Sequence, residues 1–93
     1  MTNDKAIKLA KLFLVDSYIE KGTILDATLD KFGKLQYIKV DYNGHIVEMQ
    51  VYREYDARDN KWYNYRGDTK IDGEKGDGYL LRKLARRYGD TIW

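Results

Sequence analysis

Residues 34–55 read KLQYIKVDYNGHIVEMQVYREY, and the dipeptide Asn43-Gly44 at their centre decides how the chain is read. Both residues tolerate positive φ, as a two-residue type I′ turn requires, and the runs on either side are rich in valine, isoleucine and tyrosine. Once the turn is placed, the register follows. Tyr42 opposes His45, Val40 opposes Val47 and Ile38 opposes Met49 on one face. Lys39 opposes Glu48 and Tyr37 opposes Gln50 on the other. One face is apolar and the other carries a matched ion pair, so the pattern is consistent with itself.

Outward from this hairpin, a shorter strand over about Thr23 to Leu29 precedes it through the turn DKFGK, and KWYNYR follows it through DARDN. Before them, Asn3 or Asp4 caps a helix expected to run to about Glu20, with Gly22 ending it. Ala6, Ile7, Leu9, Ala10, Phe13, Leu14 and Tyr18 share one half of that helix. The other half is only partly polar: Lys5, Lys8, Lys11 and Asp16 are interrupted by Leu12, Val15 and Ile19. Those three form a second apolar stripe, which either other elements cover or a partner does, including a second copy in a homodimer. Beyond the glycine-rich run from Gly67 to Gly78, Asp77 caps a closing helix over about Gly78 to Tyr88. The expected fold is α+β: an N-terminal helix, a three- to four-stranded antiparallel sheet and a C-terminal helix, with both helices on one sheet face.

With 93 residues the chain has room for one domain, 1–93. Its content of 43% apolar and 14% aromatic residues is that of a folded chain and far from that of a disordered one. The chain has no cysteine, which removes disulfides, thiolate metal sites and cysteine nucleophiles, and it fits a reducing compartment. The opening residues lack a signal-peptide layout, because lysines are spread through an apolar run no longer than LFLV. The expectation is a cytoplasmic protein without a membrane partner. Net charge is only +2, but it is unevenly placed: residues 1–60 carry nine cations against ten anions, whereas residues 61–93 carry eight against five.

That imbalance concentrates in the closing helix. Leu80, Leu81, Leu84, Ala85 and Tyr88 form an apolar arc, and Arg82, Lys83, Arg86 and Arg87 occupy the opposite arc with Tyr79 among them. No acidic residue shares the outer arc, although solvated helices ordinarily mix signs. One explanation is structural. Arg86 and Arg87 complement the helix dipole, and the cations pair with Asp68, Asp72, Glu74, Glu54 or Asp56. The other is an anionic partner, either nucleic acid or an acidic protein surface, since arginine forks suit both and Tyr79 can stack on a base.

Other motifs carry less. DTKIDGEKGDGY places Asp68, Asp72 and Gly73 as a calcium loop would, but Lys70 stands at a ligand position and Tyr79 at the closing glutamate. Arg66-Gly67-Asp68 matches an adhesion tripeptide, without an export signal beside it. GDGYLL lacks the lysine and spacing of a nucleotide loop, and Asp77 repels phosphate there. His45 and Ser17 are the sole residues of their kinds and fall in distant elements. Asp56 and Asp59 suit a turn better than acid–base work. The reading is therefore noncatalytic, with no cofactor and no metal.

Tyr52, Tyr55, Trp62, Tyr63 and Tyr65 crowd the later strands beside Arg53, Arg58 and Arg66. Tyrosine, tryptophan and arginine are the residues enriched at interface hot spots. Tyr52, Arg53, Trp62 and Tyr63 are accordingly candidates for a protein interface, and cross-strand packing is the other account of them. The order of elements resembles in outline that of double-stranded-RNA-binding domains, whose closing helix presents basic residues to phosphate. Their lysine pair and alanine pattern are replaced here by Glu74, Lys75, Gly76 and Asp77. In size and composition the chain also resembles small accessory proteins of phages and mobile elements, among them anti-CRISPR inhibitors of host defence complexes. That resemblance implies a protein-binding inhibitor.

Overall fold

The computed structural model describes residues 4–15 and 17–90. Asn3 as a cap and Asp16 on the polar side of the first helix lie outside the described residues. The elements run α1 (Asp4–Leu14), β1 (Thr23–Leu29), β2 (Leu35–Tyr42), β3 (His45–Asp56), β4 (Lys61–Ile71), β5 (Glu74–Gly76) and α2 (Gly78–Arg87). The strands form one antiparallel meander in the order β1-β2-β3-β4-β5, so the α+β fold holds with five strands in place of three or four.

The central hairpin has the expected register: Tyr42 pairs His45, Val40 pairs Val47, Ile38 pairs Met49, Lys39 pairs Glu48 and Tyr37 pairs Gln50. Asn43 at φ 52° and Gly44 at φ 88° supply the two positive dihedrals of the turn, and Asp41 accepts a hydrogen bond from the Gly44 N–H at 2.9 Å. Ile38, Val40, Tyr42, Val47, Met49 and Val51 meet Ala6, Ala10 and Leu14 of α1 and Leu81, Leu84 and Ala85 of α2 in a buried cluster. Both helices therefore cover the face that Ile38 and Val47 share. The opposite face carries a row of charges across all five strands, Asp26, Lys39, Glu48, Lys70 and Lys75 in order of pairing.

α1 is shorter than its periodicity predicts. It stops at Leu14, and the chain continues through tight turns in which Ser17 N–H donates to Leu14 O at 2.9 Å and Gly22 N–H to Ile19 O at 2.9 Å. This corrects the second apolar stripe. Ile19 is 1% exposed and belongs to the core, while Leu12 and Val15 remain on the surface at 70% and 51%. Burying an isoleucine contributes about 1.5–3 kcal/mol. That burial is what the chain gains by leaving the helix after Leu14 and turning Ile19 inward. Gly22 makes the turn possible, since a Cβ there would lie 2.4 Å from Val40 Cγ1. The homodimer stripe of Leu12, Val15 and Ile19 is thus not a continuous surface.

The glycine-rich run is also more ordered than expected. β4 extends to Ile71, and Asp72 at φ 53° with Gly73 at φ 84° turns the chain into β5. Residues 68–79 are therefore strand, turn, strand and the start of a helix, not an open calcium-type loop.

Candidate functional site

α2 is capped at both ends, and this fixes what it displays. The Asp77 carboxylate accepts from Leu80 N–H at 2.9 Å, satisfying a donor in the helix's first turn. At the other end Gly89, at φ 70°, donates to Arg86 O at 3.2 Å, and Asp90 N–H donates to Ala85 O at 3.0 Å. The Asp90 carboxylate then accepts from the Tyr42 hydroxyl and meets Lys21 Nζ at 2.9 Å. Those contacts, the Tyr42 bond foremost and then Lys21, hold Asp90 below the usual carboxylate range. Burial, and then the bond to Asp90, push the Tyr42 phenol well up. The end of α2 is clasped to the end of β2 and to the segment entering β1.

With Leu81, Leu84 and Ala85 buried, the opposite side of α2 faces outward. Tyr79 is 71% exposed, and Lys83, Arg86 and Arg87 are exposed. Arg82 is half-buried, and its Nε is enclosed without a hydrogen-bond partner. Tyr79, Arg82, Lys83 and Arg86 surround one shallow depression. Arg87 turns the other way and joins Lys83 on the side facing β5. Arg82, Lys83 and Arg87 form no ion pair among the described residues, and Arg86 has an interaction of its own. Two of the carboxylates expected as their partners are occupied elsewhere, and Asp68, Glu74 and Glu54 form no ion pair among the described residues. Asp72 binds His45, and Asp56 binds Arg58 at 3.4 Å.

His45 was not singled out as a site residue by sequence. Its Nδ1 lies 2.8 Å from Asp72 Oδ2 and its Nε2 lies 3.0 Å from the Tyr88 hydroxyl, so it ties the β2–β3 turn to the β4–β5 turn and to α2. The His45 bond first, and the Ile46 N–H after it, hold the Asp72 carboxyl below its ordinary value. No signal in the sequence marks this triangle, because its corners lie 27 and 43 residues apart from His45. Ser17 lines a separate cleft with Phe13 and Leu81.

The second group of candidates lies on an arm. Pairing with β2 ends at Gln50 and pairing with β5 begins at Thr69, so Tyr52–Asp56 and Lys61–Arg66 pair only with each other. None of these arm residues is buried. Pairs Tyr52–Tyr65 and Glu54–Tyr63 lie on the outer sheet face, and Arg53–Asn64 and Tyr55–Trp62 on the face the helices cover farther down. Tyr52 stacks on Tyr65 with centroids 5.6 Å apart, Tyr55 lies 5.5 Å from Trp62, and the Arg53 guanidinium sits 5.2 Å over the Trp62 ring. The Tyr63 hydroxyl donates to Asp59 at 2.6 Å. Tyr52, Arg53, Trp62 and Tyr63 therefore do not form one patch. They divide between two faces.

Set against models of protein families, curated proteins and solved structures, the chain matches none. Among the described residues no helix is long and apolar enough to cross a membrane, and no group of three histidine or carboxylate side chains is placed to hold a metal ion.

Proposed function

We propose that this protein is a noncatalytic binding module that engages nucleic acid through the basic face of α2. The observation carrying this reading is that Tyr79, Arg82, Lys83 and Arg86 ring one surface depression with no carboxylate in its lining. Guanidinium and ammonium groups in that arrangement suit phosphate oxygens, and an exposed tyrosine beside them can stack on an unpaired base. Three or four such contacts give binding that weakens steeply with salt and carries little sequence readout. Titrating duplex and single-stranded oligonucleotides at several salt concentrations tests it. Binding should fall with salt, and Lys83→Ala with Arg86→Ala should reduce the log–log salt slope by about 1 for each phosphate contact removed. Absence of binding at low salt would remove the reading.

A second reading rests on the arm, where Trp62 is 58% exposed and Arg53 stacks on it. Such residues serve as anchors in protein interfaces. An inhibitor-like accessory protein would use the arm on a protein partner and would be insensitive to changes on α2.

A further inference from the structure

The cleft that Ser17 lines with Phe13 and Leu81 has a volume of about 290 Å³ and lies where the end of α1 and the start of α2 meet over the sheet. Most of its lining is apolar, with Leu14, Ile19, Met49 and Leu81 buried and Phe13 half-buried. Among the described residues the lining holds one charged side chain, Arg66, and no carboxylate. The Ser17 Oγ in its wall is shut off from solvent and has no hydrogen-bond partner. Buried hydroxyls are ordinarily paired, so this one is a polar group still open to a ligand.

The strand register brings Arg66 to this place. Arg66 stands opposite Val51 and Thr69 opposite Met49, and Val51 and Met49 both point into the core beneath the helices. Arg66 is therefore on the helix-covered face, at the foot of the arm. Its Nη1 donates to Thr69 Oγ1 at 2.9 Å, and its Nη2 lies so close over Gly78 that a Cβ there would meet it at 2.8 Å. The guanidinium is thus laid across the first residue of α2. It forms no ion pair among the described residues. Asp77, next to Gly78, instead turns its carboxylate to the Leu80 N–H at 2.9 Å.

From an apolar cleft that holds one unmatched guanidinium and an unpaired hydroxyl, we infer that it binds a small monocarboxylate with an apolar body, the carboxylate on Arg66 and the body over Met49. A single cation suits a monoanion, and the planar fork of arginine suits a carboxylate. The unbranched thioether of Met49 adapts to the shape of an apolar ligand. The volume is at the small end of ligand pockets, which fits a medium-length acyl chain and not a phospholipid. This inference goes beyond the reading of α2 as a nucleic-acid face, because Ser17, Met49 and Arg66 take no part in that face.

The test follows the Met49 methyl signal by NMR while octanoate, octanol or acetate is titrated into the full chain, with octanoate kept below its micelle concentration. Octanoate should shift that signal and bind about tenfold more tightly than octanol, and acetate should leave the signal in place. Arg66→Gln should remove the preference for octanoate over octanol. Arg66 is exposed, so this variant is expected to fold, and thermal unfolding checks that it does. Gly78→Ala is the second variant: it keeps the charge, displaces the guanidinium and should weaken octanoate binding. Lys83→Ala with Arg86→Ala should leave octanoate binding unchanged. Equal binding of octanoate and octanol, a Met49 signal that octanoate does not move, or loss of octanoate binding in the α2 variant would each overturn the inference. None of these outcomes touches nucleic-acid binding by α2, which the oligonucleotide titrations decide.

Discussion

Met49 and Trp62 belong to the same hairpin, and their surroundings have almost nothing in common. Met49 is 2% exposed beneath the helices, whereas Trp62 projects from an arm in which no residue is buried. The lower half of β3 is held by burial against α1 and α2. The upper half is held only by its ladder to β4 and by cross-strand pairs such as Tyr52–Tyr65. One strand thus serves as core and, a few residues on, as projecting surface.

The contrast is broken most directly at Met49. Met49→Ala should destabilise the fold by about 2–5 kcal/mol, read from chemical denaturation, because it leaves a cavity under both helices. A loss under about 1 kcal/mol would mean that the helices do not depend on this part of the sheet. A smaller effect, dependent on pH, is expected at the clasp below α2. The folded-state pKa of Asp90 is depressed, so its stabilisation is present above the unfolded value near 4 and is lost as pH falls through the folded value. Asp90→Asn should therefore lower the melting temperature at neutral pH, and the gap to the parent should close in acid. A gap independent of pH would show that the carboxylate charge is not what matters.

The smallest effect belongs to the arm. Trp62→Ala should cost only about 0.2–1 kcal/mol of stability, the scale of one cross-strand pair. A loss comparable to that at Met49 would make the arm part of the folding unit after all. If the arm receives a protein partner, the same change should cut that affinity far more than it cuts stability.

Where local chemistry decides structure, the sequence is legible. Asn43-Gly44 forces one turn, the turn forces one register, and Asp77 starts α2 where an N-cap should. Legibility fails where tertiary packing overrides local pattern. The apolar period continues past Leu14, yet Ile19 turns into the core. β5 goes unnoticed because three residues ending in Gly76 carry no alternation, and β4 looks short because its pattern breaks at Gly67. For the site, the basic arc of α2 can be read from spacing alone. The separation of Arg87 from Arg82 and Arg86, and the arrival of Lys75 and His45 beside it, depend on how α2 lies across the sheet.

One irregularity in β4 reaches further than its size suggests. Between the pairs Met49–Thr69 and Val51–Arg66, β3 advances two residues while β4 advances three. If the same residues paired in an unbroken ladder, with no bulge, the outer part of β4 would be turned over. Tyr63 and Tyr65 would then look the same way as α2, and Trp62 and Arg66 would look away. Deleting Asp68 takes the surplus residue out of the ladder and should leave Arg66 opposite Val51 and every ring of the arm on the face it now occupies.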